Sequence, residues 1–167
     1  RDRATDFSHP QKVKPLTDEE RKRYALPSTD TNLVQTVHKI TENAMTDLGK
    51  AKAIYEWMVE TMVCGYNKKA DTIRRDSADL NVLFVRLANA AGLPARIIYG
   101  LRIAPSLFGY TSLGAPSEEV TKAQHIRAEV WLEDYGWTPV DPSDVCKLVK
   151  EGGAASVAST DAKLVSA

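Results

Sequence analysis

Cysteine is scarce in this chain of 167 residues. The two that occur, Cys64 and Cys146, make neither a disulfide framework nor a metal-ligand cluster, and one bridge between them is the most that pairing allows. An excess of charge of either sign is also missing. Lys+Arg and Asp+Glu both number 22, so no bulk field draws the chain to nucleic acid or to an anionic membrane. No apolar run is long enough to span a bilayer, so membrane insertion is not expected. The phosphate-cradling and dinucleotide-binding glycine patterns are absent, and His9, His38 and His125 lack the spacing of a metal site; neither a metal nor an organic cofactor is expected. The chain opens on Arg1 rather than methionine, from which we expect a processed or shortened form that has lost any targeting segment.

What is present suits one globular domain: 43% of residues are hydrophobic and 26% charged, enough of each for a core and a solvated surface. The stretch from Ser77 to Arg96 organises it. Leu80, Leu83, Phe84, Leu87, Ala88 and Ala91 recur three and four apart, the buried stripe of a helix. Gly92 stands where a left-handed cap is wanted, and Pro94 prevents continuation. Ser77 precedes the first periodic residue, where free N–H groups and the positive end of the helix dipole converge. Two readings stay open for it. It is an N-cap, of a kind worth about 1 kcal/mol over alanine, or it occupies a nucleophile's position, where a cysteine would have its thiolate favoured and a serine would need a general base.

Upstream, residues 1–16 read as an extended arm. Thr17 to Glu20 spells a capping box for a short helix through Tyr24, ending before Pro27. Asp30 caps a second helix carrying Leu33, Val34, Val37 and Ile40, with His38 beside that stripe as a structural residue. A third helix runs from about Asp47, with Ala51, Ile54, Tyr55, Met58 and Met62 on one face. The polar run from Val63 to Asp76 reads as a connector, and its Lys68, Lys69, Arg74 and Arg75 as solvated charge.

Downstream, the period changes to two. Ile97, Tyr99, Leu101 and Ile103 alternate with Arg96, Ile98, Gly100 and Arg102, a strand buried mainly on one face. Residues 104–122 are loop-like, with Phe108 and Tyr110 available to line a cleft or to pack down onto the domain. Between Gln124 and Asp144, Ile126, Ala128, Val130 and Leu132 form an apolar face and His125 falls on the other. Asp134, Tyr135 and Gly136 supply a turn, and Trp137 to Val140 the return strand. A hairpin brings its open ends together, so His125 and Asp141 lie at the same end of it, and a carboxylate near an imidazole can fix its tautomer and stabilise its cation. The last residues, from Glu151 to Ala167, are rich in Gly, Ala and Ser and read as a flexible or peripheral tail.

Two of these stretches carry a resemblance. S-A-D-L-N-V-L-F-V-R-L-A-N-A-A-G-L-P-A-R is similar to the central segment of the transglutaminase-like superfamily, whose pattern C-x-D-h-x-x-L-F-x-x-L-x-R-A-x-G-I-P-A-R carries a nucleophilic cysteine. H-I-R-A-E-V-W-L followed by Y-G-W-T-P-V-D-P is similar to its histidine and aspartate segments. The likeness runs from about Asp47 to Val145 and is closest to bacterial members. It implies an α+β papain-like fold, in which N-terminal helices pack a central helix against an antiparallel sheet. The implied divisions are 1–46 as arm and helices, 47–150 as core and 151–167 as tail. Residue by residue, it puts the nucleophile position at Ser77, the general base and acid at His125 and the orienting acid at Asp141, with Tyr110 and Trp131 as candidate substrate-binding residues.

The implied chemistry is attack of a position-77 thiolate on a protein or peptide carboxamide, followed by resolution with water or an amine. Serine at 77 departs from the family pattern and leaves three alternatives. The chain is an inactivated variant of a cysteine acyl-transfer enzyme, a non-catalytic peptide-binding module, or a native serine hydrolase. The segment before Ser77 is shorter than is common in the family. An exported location is all that the likeness to bacterial relatives implies about compartment.

Overall fold

The computed structural model describes residues 7–63, 77–106, 110–114 and 123–152. The N-terminal elements form for local reasons. Helix α1, Asp18–Tyr24, opens on a complete capping box: Thr17 Oγ1 accepts from the Glu20 amide, and Glu20 Oε2 accepts from the Thr17 amide at 2.8 Å. Helix α2, Thr31–Thr41, is capped by Asp30, whose Oδ1 accepts from the amides of Asn32 and Leu33. It buries Leu33 and Val37 and leaves His38 exposed in its last turn. Helix α3, Asp47–Met58, capped by Thr46, buries Ala51, Ile54 and Met58. Beyond Met58 the backbone widens into a π turn over Val59–Val63, where the Thr61 hydroxyl donates back to the Trp57 carbonyl, and the Met62 side chain lies outside the described residues. The basic connector, Cys64 included, lies outside the described residues.

Helix α4, Ser77–Ala90, is the centre of the core. Leu80, Phe84, Leu87 and Ala88 are each at most 3% exposed, and α2, α3, the sheet and the C-terminal helix all pack around it. Its end is fixed as expected: Gly92 adopts φ +81°, and the Leu93 amide reaches back to the Ala88 carbonyl at 2.9 Å.

Strands β1, Ala95–Leu101, β2, Gln124–Leu132, and β3, Gly136–Val140, form one antiparallel sheet in the order β1-β2-β3. Ala95 opposes Val130 and Ile97 opposes Ala128, and this face meets the helices. The same face was expected to stay covered out to Ile103. Instead β1 stops at Leu101, and Tyr99, Leu101 and Ile103 are 78%, 51% and 90% exposed. Burial runs out on both strands at that end of the sheet, since the partners of Tyr99 and Leu101 are half-buried Ile126 and exposed Gln124. On the opposite face, Arg96 lies 3.9 Å over the Trp137 ring and bonds Glu129 at 2.8 Å, while Trp137 meets Tyr24 of α1 and Trp131 edge-on. The arm follows the hairpin turn, with Gln11 donating to the Asp134 carbonyl and Phe7 against Tyr135.

One element was not anticipated. Pro142–Gly152 forms helix α5, with Pro142 at its first position, Asp144 in its first turn, and Val145 and Leu148 buried. Glu151 therefore belongs to a helix rather than to a tail, and residues 153–167 lie outside the description. Cys146, on α5, is a free, half-buried thiol. The architecture is α+β, with helices packed on a three-stranded antiparallel sheet.

Two substitutions separate packing from backbone conformation. Phe84→Ala is expected to cost about 3–5 kcal/mol through the cavity it leaves. Gly92→Ala, whose added methyl would meet nothing within 4 Å, is expected to cost about 1–2 kcal/mol through the left-handed conformation alone. Urea denaturation of the two variants measures both.

Candidate active site

The open end of the β2–β3 hairpin does bring His125 and Asp141 together. His125 Nε2 lies 2.5 Å from Asp141 Oδ2, and the two side chains are 16% and 21% exposed. Asp141 sits at the corner where β3 turns into α5. Its other oxygen, Oδ1, accepts from the Ser143 hydroxyl at 2.6 Å, the Asp144 amide at 3.2 Å and Asn81 Nδ2 at 3.1 Å. Burial pushes the Asp141 carboxyl upward, but the bonds from His125, Ser143 and Asn81 and the His125 charge outweigh it and hold the group below its ordinary value of 3.8.

Asn81 ties this corner to the central helix. It is fully buried one turn from the start of α4, and its amide nitrogen reaches the Ile126 carbonyl at 2.5 Å as well as Asp141 and Ser143. Ser77 opens the same helix, four residues earlier, so the chain segment bearing position 77 is anchored directly to the His125–Asp141 corner. The Ser77 side chain lies outside the described residues.

A second ion pair adjoins the first. Arg102 Nη2 bonds both oxygens of Asp144, at 2.5 and 2.7 Å, and stands 3.0 Å from His125 Nε2. Its Nη1 donates to the Leu113 carbonyl, and Lys147 meets Asp144 Oδ1 at 3.1 Å. His125, Asp141 and Asp144 offer ligand atoms within 4.8 Å of one another, a spacing that suits a cation. The guanidinium of Arg102 already supplies that positive charge from within the chain, so we do not read the three as metal ligands.

The suggested substrate-binding residues separate. Tyr110 is half-buried and precedes the 3₁₀ turn Thr111–Leu113, which contacts α5 and whose last carbonyl meets Arg102. Glu151 caps that turn, and hydrogen bonds from Ser112 and Thr111 hold its carboxyl down at about 2. Trp131 is 7% exposed, edge-on to Trp137. It lies six residues from His125 along β2, roughly 20 Å at strand rise, so it lines no cleft beside the imidazole. Phe108 falls outside the described residues.

Arg102, Asp144 and Asn81 were not singled out from sequence. The strand alternation places Arg102 in its polar half, and the helical stripe gives Asn81 no role. A polar residue at a core position of the central helix was the available signal, because a buried amide must find partners.

The sequence model of the transglutaminase-like superfamily matches residues 34–142. The chain belongs to that superfamily. The matched span holds Ser77, Arg102, His125 and Asp141, and it begins within α2, earlier than the likeness expected from about Asp47. An uncharacterised protein of Haemophilus influenzae is 31% identical over 165 residues, covering 86% of this chain and 45% of that protein, so the chain spans less than half the length of this relative. Two crystal structures of the periplasmic domain of TgpA from Pseudomonas aeruginosa share the fold. The one bound to ethylmercury has a TM-score of 0.53 at 13% identity, covering 78% of this chain and 50% of that one. The other has a TM-score of 0.50 at 16% identity, covering 84% and 53%. Among the described residues, no helix is long and apolar enough to cross a membrane.

Asn81→Ala is expected to lower stability by about 1–3 kcal/mol, since it removes a buried donor from a carbonyl and a carboxylate at once. Acid sensitivity follows from Asp141. Its depressed folded value contributes stability that is fully present above the unfolded value near 3.8 and is lost as pH falls through the folded value. Asp141→Asn should therefore have a shallower fall in melting temperature below about pH 4 than the parent chain, as followed by circular dichroism.

Proposed function

We propose that the chain carries a transglutaminase-like acyl-transfer site acting on protein or peptide amide bonds, with position 77 as the nucleophile position, His125 as general base and acid, and Asp141 as its orienting partner. The observation that carries this reading is the His125 Nε2–Asp141 Oδ2 bond, held at a corner that Asn81 ties to the helix opening at Ser77. Because Asp141 engages Nε2, the imidazole has Nδ1 left to exchange a proton with a nucleophile and a departing amine.

With cysteine at 77, proton transfer to Nδ1 leaves a thiolate, which adds to the substrate carbonyl. Backbone N–H groups of the first turn of α4 are suited to the oxyanion. As the tetrahedral adduct collapses, the C–N bond breaks, the imidazolium gives its proton to the amine, and a thioester remains. Water or a second amine attacks that thioester, its proton passing to His125, and restores the thiol with hydrolysed or cross-linked product. With serine at 77 the same groups must deprotonate a hydroxyl, which has no comparably accessible anion, so the chain in hand is an impaired form of this site.

The test is Ser77→Cys, alkylated with iodoacetamide across about pH 5–9 with and without His125→Ala, with Cys64 and Cys146 as internal controls. The expected outcome is a residue-77 thiol that reacts well below the ordinary thiol range near 8.5 and loses that advantage without His125. A thiol that titrates ordinarily would make Ser77 a helix cap and the domain a binding module. Labelling of the parent chain at Ser77 by an active-serine probe would instead establish a serine hydrolase.

A further inference from the structure

His125 Nε2 has two neighbours and can satisfy only one in a given protonation state. Asp141 Oδ2, at 2.5 Å, requires an N–H on that nitrogen, whereas Arg102 Nη2, at 3.0 Å, could bond only to a lone pair there. With Nε2 protonated toward Asp141, the Arg102 contact is not a hydrogen bond, and the guanidinium acts on the ring through its charge. It is held in place: both Asp144 oxygens and the Leu113 carbonyl bind it, and its side chain is 16% exposed.

The charges around the imidazole then nearly cancel. Asp141 and, at 3.9 Å, Asp144 favour the imidazolium; Arg102 disfavours it; Lys147, from the next turn of α5, also lies on Asp144. Along β2, Arg127 is paired with Glu129, at 3.2 Å. From α4, the described residue reaching this corner is the neutral Asn81, and opposite His125 on β1 stands Gly100. Without Arg102, two carboxylates would face the ring against one lysine, and the charged ring would be favoured over the neutral base.

We propose that Arg102 is a positioning residue that cancels the charge of Asp144, so that His125 answers to Asp141 alone when it takes up and releases a proton. This deepens the acyl-transfer reading and rests on it for its functional meaning. Its geometry also assigns Asp144 a part: the residue clamps Arg102, and its backbone amide donates to Asp141 Oδ1.

The decisive property is sign. Arg102→Gln removes a positive charge and should raise the midpoint of the His125 ring titration, by about one pH unit for a charge at this range. Asp144→Asn leaves Arg102 unopposed and should lower it. The Arg102→Gln/Asp144→Asn double variant should return toward the parent midpoint, and Arg102→Lys, which keeps the charge, should move it much less than Arg102→Gln. The experiment is NMR of the imidazole nitrogens across pH on the chain as it stands, with amide spectra to confirm that each variant is folded. Shifts of the same sign in the two single variants, or no shift in either, would overturn the proposal. If Arg102→Gln fails to fold, Arg102→Lys and Asp144→Asn decide it: the first must hold the midpoint and the second must lower it. The readout needs no turnover and no thiol, so an inert residue-77 cysteine would count against the acyl-transfer reading and leave this titration interpretable.

Discussion

The structure depends on a buried amide. Asn81 sits at zero exposure on the inner face of the central helix and spends its nitrogen on three acceptors: a strand carbonyl, a carboxylate and a hydroxyl. An amide nitrogen has two protons, so these bonds are shared, and its own oxygen has no partner among the described residues. A leucine there would fit the apolar stripe, but it would leave the Ile126 carbonyl and Asp141 without this donor. The arrangement exchanges some core stability for a defined distance between α4 and the corner where β3 meets α5. Helix α5 takes part in that corner as well, since Ser143 and the Asp144 amide complete the shell of Asp141.

Around that anchor the molecule separates its two sheet faces. One carries the aliphatic core shared with α2, α3 and α4. The other is covered by aromatic and ionic contacts: Arg96 between Tyr24 and Trp137, Glu129 bonded to Arg96, and the arm laid along the hairpin turn. Trp131, far from His125 along β2, pairs with Trp137 on this covered face, and His125 shares the face at the open end of the hairpin. A one-residue slip in register would turn His125 toward the core face, and the burial of this strand along its second half opposes such a slip.

Membership of the transglutaminase-like superfamily and the likeness to TgpA periplasmic domains define the scaffold, and scaffold alone does not define activity. The local charges are more informative. A lone His–Asp pair would suffice to orient an imidazole, yet here a second carboxylate and a clamped guanidinium adjoin it. That elaboration is chemistry held by tertiary structure, because its members come from the end of β1, the start of β2 and the first turns of α5.

The elements with local causes were legible along the chain. The Thr17–Glu20 box, the Asp30 cap, the Gly92–Pro94 stop and the alternation of β2 each follow from neighbours a few residues away, and each stands in the structure where it was expected. The hairpin also made the meeting of His125 and Asp141 readable, since two strands and a short turn are still a local object. Helix α5 escaped because it is a short segment between the hairpin and the Gly-, Ala- and Ser-rich end, and its buried Val145 and Leu148 acquire a partner only by packing on α4. The exposed end of β1 escaped because period two reports which residues share a face and not whether anything covers that face. Arg102, Asp144 and Asn81 acquire their meaning only from distances across 23 to 60 residues of sequence. Local pattern, turn and cap chemistry were therefore determined by sequence alone; which buried polar groups meet, and what charge surrounds the imidazole, only the tertiary fold decided, because Coulomb and hydrogen-bond energies depend on separation in space.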